Sequence, residues 1–535
     1  MNDFLLTVRA EWTKLRTVRG WVLALVVALV VPVVIGLTSV NGSRSGGCPG
    51  AEVCGPPTGP GGEAVTDAFT FVHRSLGPHG SLTARITGLT GQRPRIPGSG
   101  GGGAPVPQAW AKAGVMVKED TEQGAAYAAV MVTGGHGVRM QSDFTHDTAA
   151  PKAGTSSTAA SSAGAHSDAA SAAAPPTAAA PRWLRLTRAG STLTGATSPD
   201  GTHWTTIGTA TLPGLPATAQ AGLFTTSPEH TEVDRHALGE SATSGPTRAT
   251  ATFDRVTLSG AATANSTESG GLWRTTVIGA DPVTAAFSAS SQRSTPAGES
   301  FTVSGSGDIA PAVGGRAFGA RSVEDGLVGT FAGLLVLVVV GSSFVTAEYR
   351  RGLIRGTLAA QPRRGRLLAA KALVVAAAAF AVGLVAAALS LKLTASRLHA
   401  KGVYVLPAAT GAEVRVVVGT ALLLALAAVL ALGAGILLRR GAGAVTAVAA
   451  AVVLPYILAI SGALPVAGAD WVLRVTPAAA FAVQQTTVRY SQVAGVYAPS
   501  DGYFPLAPWA GMAVLCGWTV LVVGAAYAVL RRRDA

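Results

Sequence analysis

Six stretches of the chain run for about twenty residues each without a charged side chain. They are Trp21–Val40, Gly326–Ala347, Ala372–Leu391, Val416–Leu438, Gly441–Gly462 and Pro508–Leu530. A helix rising about 1.5 Å per residue needs about 20 apolar residues to cross a hydrocarbon core of about 30 Å. Each run therefore predicts a spanning helix. The first is preceded by some twenty residues, is long for a signal-peptide core and lacks a small-residue cleavage site, so it reads as a retained helix. Between the first two runs the pattern changes to a period of two. Leu82, Ala84 and Ile86 alternate with Thr83, Arg85 and Thr87, and Phe69 alternates with Phe71 in the same way. Further short runs rich in β-formers cover Trp110–Lys118, Tyr127–Val132, Trp183–Arg188, Leu193–Ser198, Trp204–Ala210 and Phe253–Leu258, and Asp200-Gly201 marks a hairpin turn. Many short strands punctuated by turns predict a β-sandwich.

These patterns divide the chain. Residues 1–19 precede the first helix, 20–40 form it, and 41–63 are a Gly/Pro-rich linker. Residues 64–260 are the expected sandwich, interrupted at 148–181 by an Ala/Ser-rich stretch that cannot bury a core. Residues 261–325 read as a small β-rich connector, and 326–535 carry helices two to six. The expected fold class is thus an α-helical polytopic membrane protein with six transmembrane helices and a large extracytoplasmic β-sandwich between the first two.

Composition agrees. Hydrophobic residues make up 48% of the chain, charged residues only 13%, and mean hydropathy is +0.39. The net charge of +13 and pI ≈ 10.1 would suggest nucleic acid, but the distribution points elsewhere. Arg9, Lys14, Arg16 and Arg19 precede the first run. Arg350, Arg351, Arg355, Arg363, Arg364, Arg366 and Lys371 separate the second from the third. Arg439 and Arg440 separate the fourth from the fifth, and Arg531, Arg532 and Arg533 follow the sixth. With six spans all these segments fall on one side, which the positive-inside rule makes cytoplasmic. The expectation is a multi-pass plasma-membrane protein with both termini in the cytoplasm and no nucleic-acid partner. Cys48 and Cys54, six positions apart in an oxidising compartment, are candidates for a disulfide; two free thiols are the other reading.

Catalytic machinery is not evident. There is no Gly-Lys dipeptide and hence no P-loop, no His-Glu-x-x-His, and no Cys/His cluster with zinc spacing. No catalytic, cofactor-binding or metal-binding residues are assigned, and Asp200 reads as a turn residue rather than a calcium ligand. The apolar runs also lack the ionisable residues that ion-coupled carriers keep at mid-membrane.

Two polar segments remain. In Asn2–Arg19, the positions Phe4, Leu5, Val8, Trp12, Leu15 and Val18 fall on one helical arc, predicting an amphipathic helix on the inner leaflet. Glu11 falls near that apolar arc, where it must pair with Lys14 at i+3 or face another segment. The stretch Glu348–Lys371 leaves the second span with Glu348, Tyr349, Arg350 and Arg351, continues through Arg355 and breaks at Pro362. A charged segment there is placed to dock on a soluble partner.

Glu11-Trp12-Thr13-Lys14 before the first span, Glu348-Tyr349-Arg350-Arg351-Gly352 after the second and Pro362-Arg363-Arg364-Gly365-Arg366 before the third resemble the permease subunits of type 2 ATP-binding-cassette exporters, in the form found in high-GC Gram-positive bacteria. Thr476-Pro477-Ala478-Ala479-Ala480 sits where that family has a short Pro-containing outer or re-entrant segment. The resemblance covers residues 1–40 and 321–535. It implies a non-enzymatic subunit that forms the translocation path, paired with a second permease copy or relative, with ATP hydrolysis in a separate ABC ATPase subunit. Glu11, Trp12 and Lys14 then belong to an interfacial helix, and Glu348, Tyr349, Arg350, Arg351 and Arg355 to an ATPase-coupling segment. The long insert departs from the family. Ala68–Phe71, Trp110–Met116 and Ser198–Trp204 are similar to concanavalin-like jelly-roll domains of the laminin-G/glucanase type. Such domains often bind sugars, which makes Trp110, Trp183 and Trp204 candidate stacking platforms, with Trp273 a further one; the other reading, which the sequence favours, is that these tryptophans are core. The likeness also leaves a second reading, a membrane-anchored protein that binds cell-wall glycan.

Overall fold

The computed structural model of the chain describes residues 2–40, 55–92, 107–151, 180–236, 239–261, 272–279, 282–295, 298–313, 321–350, 352, 363–461, 463–493, 497, 499 and 502–532. Cys48, Cys54, Arg351 and Arg355 lie outside them, as does nearly all of the Ala/Ser-rich stretch.

The helices longer than one turn are α1 (Asn2–Thr17), α2 (Arg19–Ser39), α3 (Thr330–Arg350), α4 (Arg364–Ala400), α5 (Thr410–Leu438), α6 (Gly441–Ile460), α7 (Val466–Val475) and α8 (Pro508–Arg532). Six of them, all but α1 and α7, are long and apolar enough to cross a membrane. Their bounds follow the apolar runs closely except in α4, which extends over 37 residues and takes Lys371, Lys392 and Arg397 into the helix. The helices alternate in direction. At one end Lys401 Nζ donates to the carbonyl of Val40 at 2.8 Å. At the other, Arg364 donates to the carbonyl of Leu530, and the Arg439 guanidinium lies 5.6 Å from the Tyr349 ring. Arg350, Arg364 and Arg439 therefore lie at one end, and Lys401 lies at the other, which the β region joins.

Helix α5 is the axis of the bundle: 78% of its most apolar window is buried, against 17% for α2 and for α8. Its run of Ala, Leu and Gly permits close approach, since helices in lipid associate chiefly through packing of small residues. At Gly341 of α3 an added Cβ would stand 2.1 Å from the carbonyl oxygen of Ala428 on α5. The Thr476–Ala480 segment opens a short 3-10 helix, Pro477–Gln484, whose residues are all buried. It packs between α5 and α8, where Gly419 and Gly511 make room for Val483 and Ala479. Non-α backbone at this depth is tolerated because protein covers it.

The strands are β1 (Val65–Asp67), β2 (Phe69–Gln92), β3 (Lys112–Lys118), β4 (Tyr127–Thr133), β5 (Val138–Ser142), β6 (His146–Ala149), β7 (Arg182–Ala189), β8 (Thr192–Ser198), β9 (Thr205–Thr211), β10 (Ala219–Thr226), β11 (His230–His236), β12 (Gly239–Gly245), β13 (Arg248–Ala261), β14 (Arg274–Ile278), β15 (Ala289–Thr295), β16 (Gly298–Gly305) and β17 (Ile309–Pro311). The long β2 belongs to two sheets. Its first third pairs with β10 and β14, and its remainder pairs with β7 and β13. Gly77-Pro78-His79-Gly80 stands between these parts; a Cβ at Gly80 would lie 2.3 Å from the carbonyl of Ser259, so the strands can pass only if that residue is glycine. One layer then reads β6-β5-β4-β3-β10-β2-β14, the other β9-β8-β7-β2-β13-β16-β15, all antiparallel. Between them lie Leu82, Ala84 and Ile86 of β2, Val115 and Val117 of β3, Leu184 and Leu186 of β7, and Phe253 and Val303. Alternation has this cause: one face of each strand fills the core.

The six short runs expected as strands all fall on strands, and Asp200-Gly201 lies in the β8–β9 hairpin. Within the expected connector, β14, β15 and β16 instead complete the two sheets: β14 pairs with β2, β16 with β13, and β15 with β16.

The outer face of the first layer is also covered. Phe69, Phe71, Met116, Tyr127, Phe144 and Phe224 form a second apolar cluster with Val65 and Ile309 of the β1–β17 pair. Two lysines of β3 are sealed beneath it. Lys112 Nζ donates to Asp308 Oδ1 at 2.7 Å, and Lys118 Nζ to Asp67 Oδ2 at 2.9 Å. Asp67 also accepts the amide of Gly124, and its burial pushes the carboxyl up against the pull of Lys118. Lys118→Met would leave this carboxylate unpaired in a dry site. We expect about 3 kcal/mol of lost stability, read as an earlier thermal transition of the intact chain; an unchanged transition would contradict the packing described.

Candidate functional site

The closest convergence of charge lies at the basic end of the bundle, and three helices build it. Helix α1 lies across that end with Leu15 buried on its inner side, and Val18 turns the chain into α2. On the same stripe as Leu15 stands Glu11, one turn earlier, only 6% exposed. On α3, Glu348 lies one turn past Phe344 and is 2% exposed. On α4, Lys371 belongs to the buried stripe of Leu367, Leu368, Val374, Val375 and Ala378, and is 3% exposed. Each charge thus occupies a core position of its own helix.

They answer one another. Lys371 Nζ donates to Glu11 Oε1 at 2.8 Å and to Glu348 Oε1 at 2.7 Å. Lys14, one turn along α1, donates to the same Glu348 oxygen and stands 3.9 Å from Glu11 Oε2. Two carboxylates and two ammoniums make the group neutral overall. The Phe344 ring lies beneath both cations, 5.4 Å from Lys14 Nζ and 5.1 Å from Lys371 Nζ, and Trp21 packs against Phe344 at 5.0 Å. The second oxygens of Glu11 and Glu348 are buried and accept no hydrogen bond from the described residues. Buried ion pairs of this kind roughly break even against apolar packing, but breaking one by removing a single partner is costly. The arrangement therefore acts as a geometric lock: α1, α3 and α4 are held in one register, and α1 cannot shift without exposing unpaired charge.

Lys14 is the least buried member. Burial, then the neighbouring Lys371 ammonium, bring its pKa down from 10.5 to about 8. The folded value lies below the unfolded one, so between about pH 8 and 10.5 the unfolded chain holds more protons and this group adds stability as the pH rises. We expect the thermal midpoint to respond less to pH over that window in Lys14→Met than in the native chain; identical pH profiles would remove Lys14 from the coupled group.

Glu11 and Lys14 meet both each other and a distant segment, so the two explanations for Glu11's awkward position hold together. Trp12 is 44% exposed. Glu348 turns inward, so it is not a free surface for a partner; Arg350, two residues on, is exposed. Tyr349 is half-buried beside Arg439. Lys371, grouped in sequence with the topogenic basic residues, is the member that sequence reasoning missed. Its signal was present: a lysine at i+4 from Leu367 and i−4 from Val375, on the apolar stripe of a helix.

The tryptophans of the β region are engaged. Trp110 is buried and stacks on the His136 imidazole at 4.0 Å. The Arg185 guanidinium covers one face of Trp204 at 3.8 Å, and the Trp204 indole donates to the carbonyl of Gly201. The turn at Gly201 lies against Trp183, where a Cβ would stand 2.7 Å from the ring. Trp273 donates to Glu299 and packs edge-on against Phe301. Asp200 accepts the amides of Thr202 and His203 and so caps its own turn. Among the described residues no three His, Cys, Asp or Glu side chains gather as metal ligands would.

The chain matches no family model and no curated protein. Among solved structures it is similar to a functionally unknown protein from Saccharomyces cerevisiae, with 16% identity over 36% of this chain and 74% of that one, at a TM-score of 0.20. It is also similar to SCP-B, a member of the eqolisin family of peptidases in complex with the tripeptide Ala-Ile-His, with 8% identity over 44% of this chain and 98% of that one, at a TM-score of 0.22. Scytalido-glutamic peptidase with a peptide-based transition-state analogue gives 7% identity, the same shares of 44% and 98%, and a TM-score of 0.21. At such TM-scores these likenesses carry no argument about fold or activity.

Proposed function

We propose that the chain is the membrane-spanning permease subunit of an ATP-driven type 2 ABC exporter, inserted in the plasma membrane with its basic end and both termini in the cytoplasm. On this reading the six apolar helices form half of a translocation path completed by a second permease copy or relative. A separate ATPase subunit binds below. The β-sandwich stands outside the membrane as a jelly-roll-type domain above the exit. The observation that carries the reading is the lock of Glu11, Lys14, Glu348 and Lys371. A soluble motor that moves the segment after α3 would move α1 and α4 with it, because the three share one set of buried charges. The exposed Trp12 and Arg350 next to that lock supply the surface a partner would touch. The catalytic step, hydrolysis of ATP, lies in the partner, in keeping with the missing P-loop.

The test is reconstitution with the ATPase that co-purifies from the native membrane. Arg350→Glu should lower substrate-independent ATPase stimulation by the permease about tenfold or more, through reversal of a partner-facing charge, while the chain still inserts and keeps its thermal midpoint. Unchanged stimulation would remove this segment from the coupling path.

A further inference from the structure

At the end of the bundle that carries the β region, a cavity of about 210 Å³ opens between the 3-10 turn Val323–Leu327, the start of α3, the end of α6, and Gln484, Gln485, Pro499, Gly502 and Phe504. Its chemistry is one-sided. Phe331, Tyr456 and Phe504 line it with aromatic rings. Phe331 and Tyr456 stand 4.8 Å apart, Tyr456 and Phe504 lie nearly parallel at 6.2 Å, and Phe481 backs the first two at 4.8 and 4.4 Å. Glu324 supplies the charge. One of its oxygens accepts the Thr486 hydroxyl, whereas Oε1 is buried and accepts no hydrogen bond from the described residues. The other acid at the wall, Asp325, is occupied: it accepts the Ser322 amide and faces Arg321 at 3.8 Å. No lysine or arginine is among the described lining residues.

We propose that this cavity binds a small organic cation of the alkylammonium class. An ammonium seated there would face the electron-rich surfaces of the rings, which attract cations most strongly when both are desolvated. It would also bring a counter-charge to the Glu324 carboxylate, whose described hydrogen-bond partner, Thr486, is neutral. Burial pushes the Glu324 carboxyl up, and a cation alongside would favour its ionised form. Gly502, held at φ +85°, lies against this carboxylate, and a Cβ there would stand 3.2 Å from Glu324 Oε1. The inference stands apart from the exporter reading, because it rests on a site within one chain at the opposite end of the bundle from the charge lock.

The experiment titrates the full chain, in nanodiscs of phosphatidylglycerol, with choline and with its uncharged isostere 3,3-dimethylbutan-1-ol, followed by calorimetry. Saturable binding of choline without binding of the isostere is expected. Glu324→Gln, which keeps shape and removes charge, should weaken choline roughly tenfold or more, and Phe504→Leu should weaken it by a smaller factor. Equal binding of the two solutes, no saturation, or full affinity in Glu324→Gln would overturn the proposal. A free solute and a lipid headgroup share this chemistry, and repetition in phosphatidylcholine nanodiscs separates them. Lower apparent affinity there assigns the site to the headgroup; unchanged affinity assigns it to a soluble cation.

Discussion

Lys371→Met destabilises the bundle by about 3–5 kcal/mol, the cost of stranding buried charge when one partner of an ion pair is removed. The lysine holds Glu11 and Glu348 together, at 2.8 and 2.7 Å, in a site with almost no access to water. Without it the two carboxylates face each other with only Lys14 between them. The readout is the fraction of chain that remains monodisperse in detergent after a heating series. The combined variant Lys371→Met with Glu11→Gln should recover part of the loss, because the neutralised partner no longer needs a counter-charge. Coupling between contacting residues of this kind is about 0.5–3 kcal/mol. A single variant as heat-resistant as the native chain, or a double variant whose loss is the plain sum of the two single ones, would show that the four charges do not act together.

Gly341→Val separates α3 from α5. The glycine lets the two helices meet with backbone against backbone, and a Cβ would press at 2.1 Å on the Ala428 carbonyl oxygen. No side chain can swing aside there, so the helices themselves must part. Overpacking of a close contact costs about 1–3 kcal/mol and sometimes more, and here it falls on the helix around which the bundle is built. We expect a lower thermal midpoint together with a change in the crosslinking of cysteines placed in α3 and α5. Gly517→Val on α8, where a Cβ would meet nothing within 4 Å, serves as the matched control and should leave both unchanged.

The six helices were legible because lipid and core impose the same requirement on the sequence: some twenty residues without charge. The strands were legible where one face alternates, as along Leu82–Ile86, and less so where both faces are covered. Thus β3 reads as an unbroken buried run, Lys112 to Lys118, since its outer face meets the Phe69–Phe224 cluster. The double membership of β2 was not legible, because the bend at Gly77–Gly80 is defined by the strands that cross it. β14, β15 and β16 were set apart for a related reason: polar edge strands such as Ala289–Thr295 carry little apolar signal, and only pairing reveals their sheet.

For the site, sequence alone isolated Glu11 as misplaced on an apolar arc and placed Glu348 and Lys14 in the right segments. It could not join them to Lys371, which lies 360 residues from Glu11 in the chain. The register of three helices decides that contact, and no local pattern records it. Glu324 was missed for the same reason, as its partners come from Thr486 and from rings on α3, α6 and the Phe504 segment.

The decisive measurement is purification of the tagged full-length chain from its native membrane in mild detergent, with identification and quantification of the proteins that accompany it. We expect an ABC ATPase subunit in stoichiometric amount, retained by the native chain and lost from the Arg350→Glu variant. An intact complex of defined size that contains no ATPase would contradict the exporter reading.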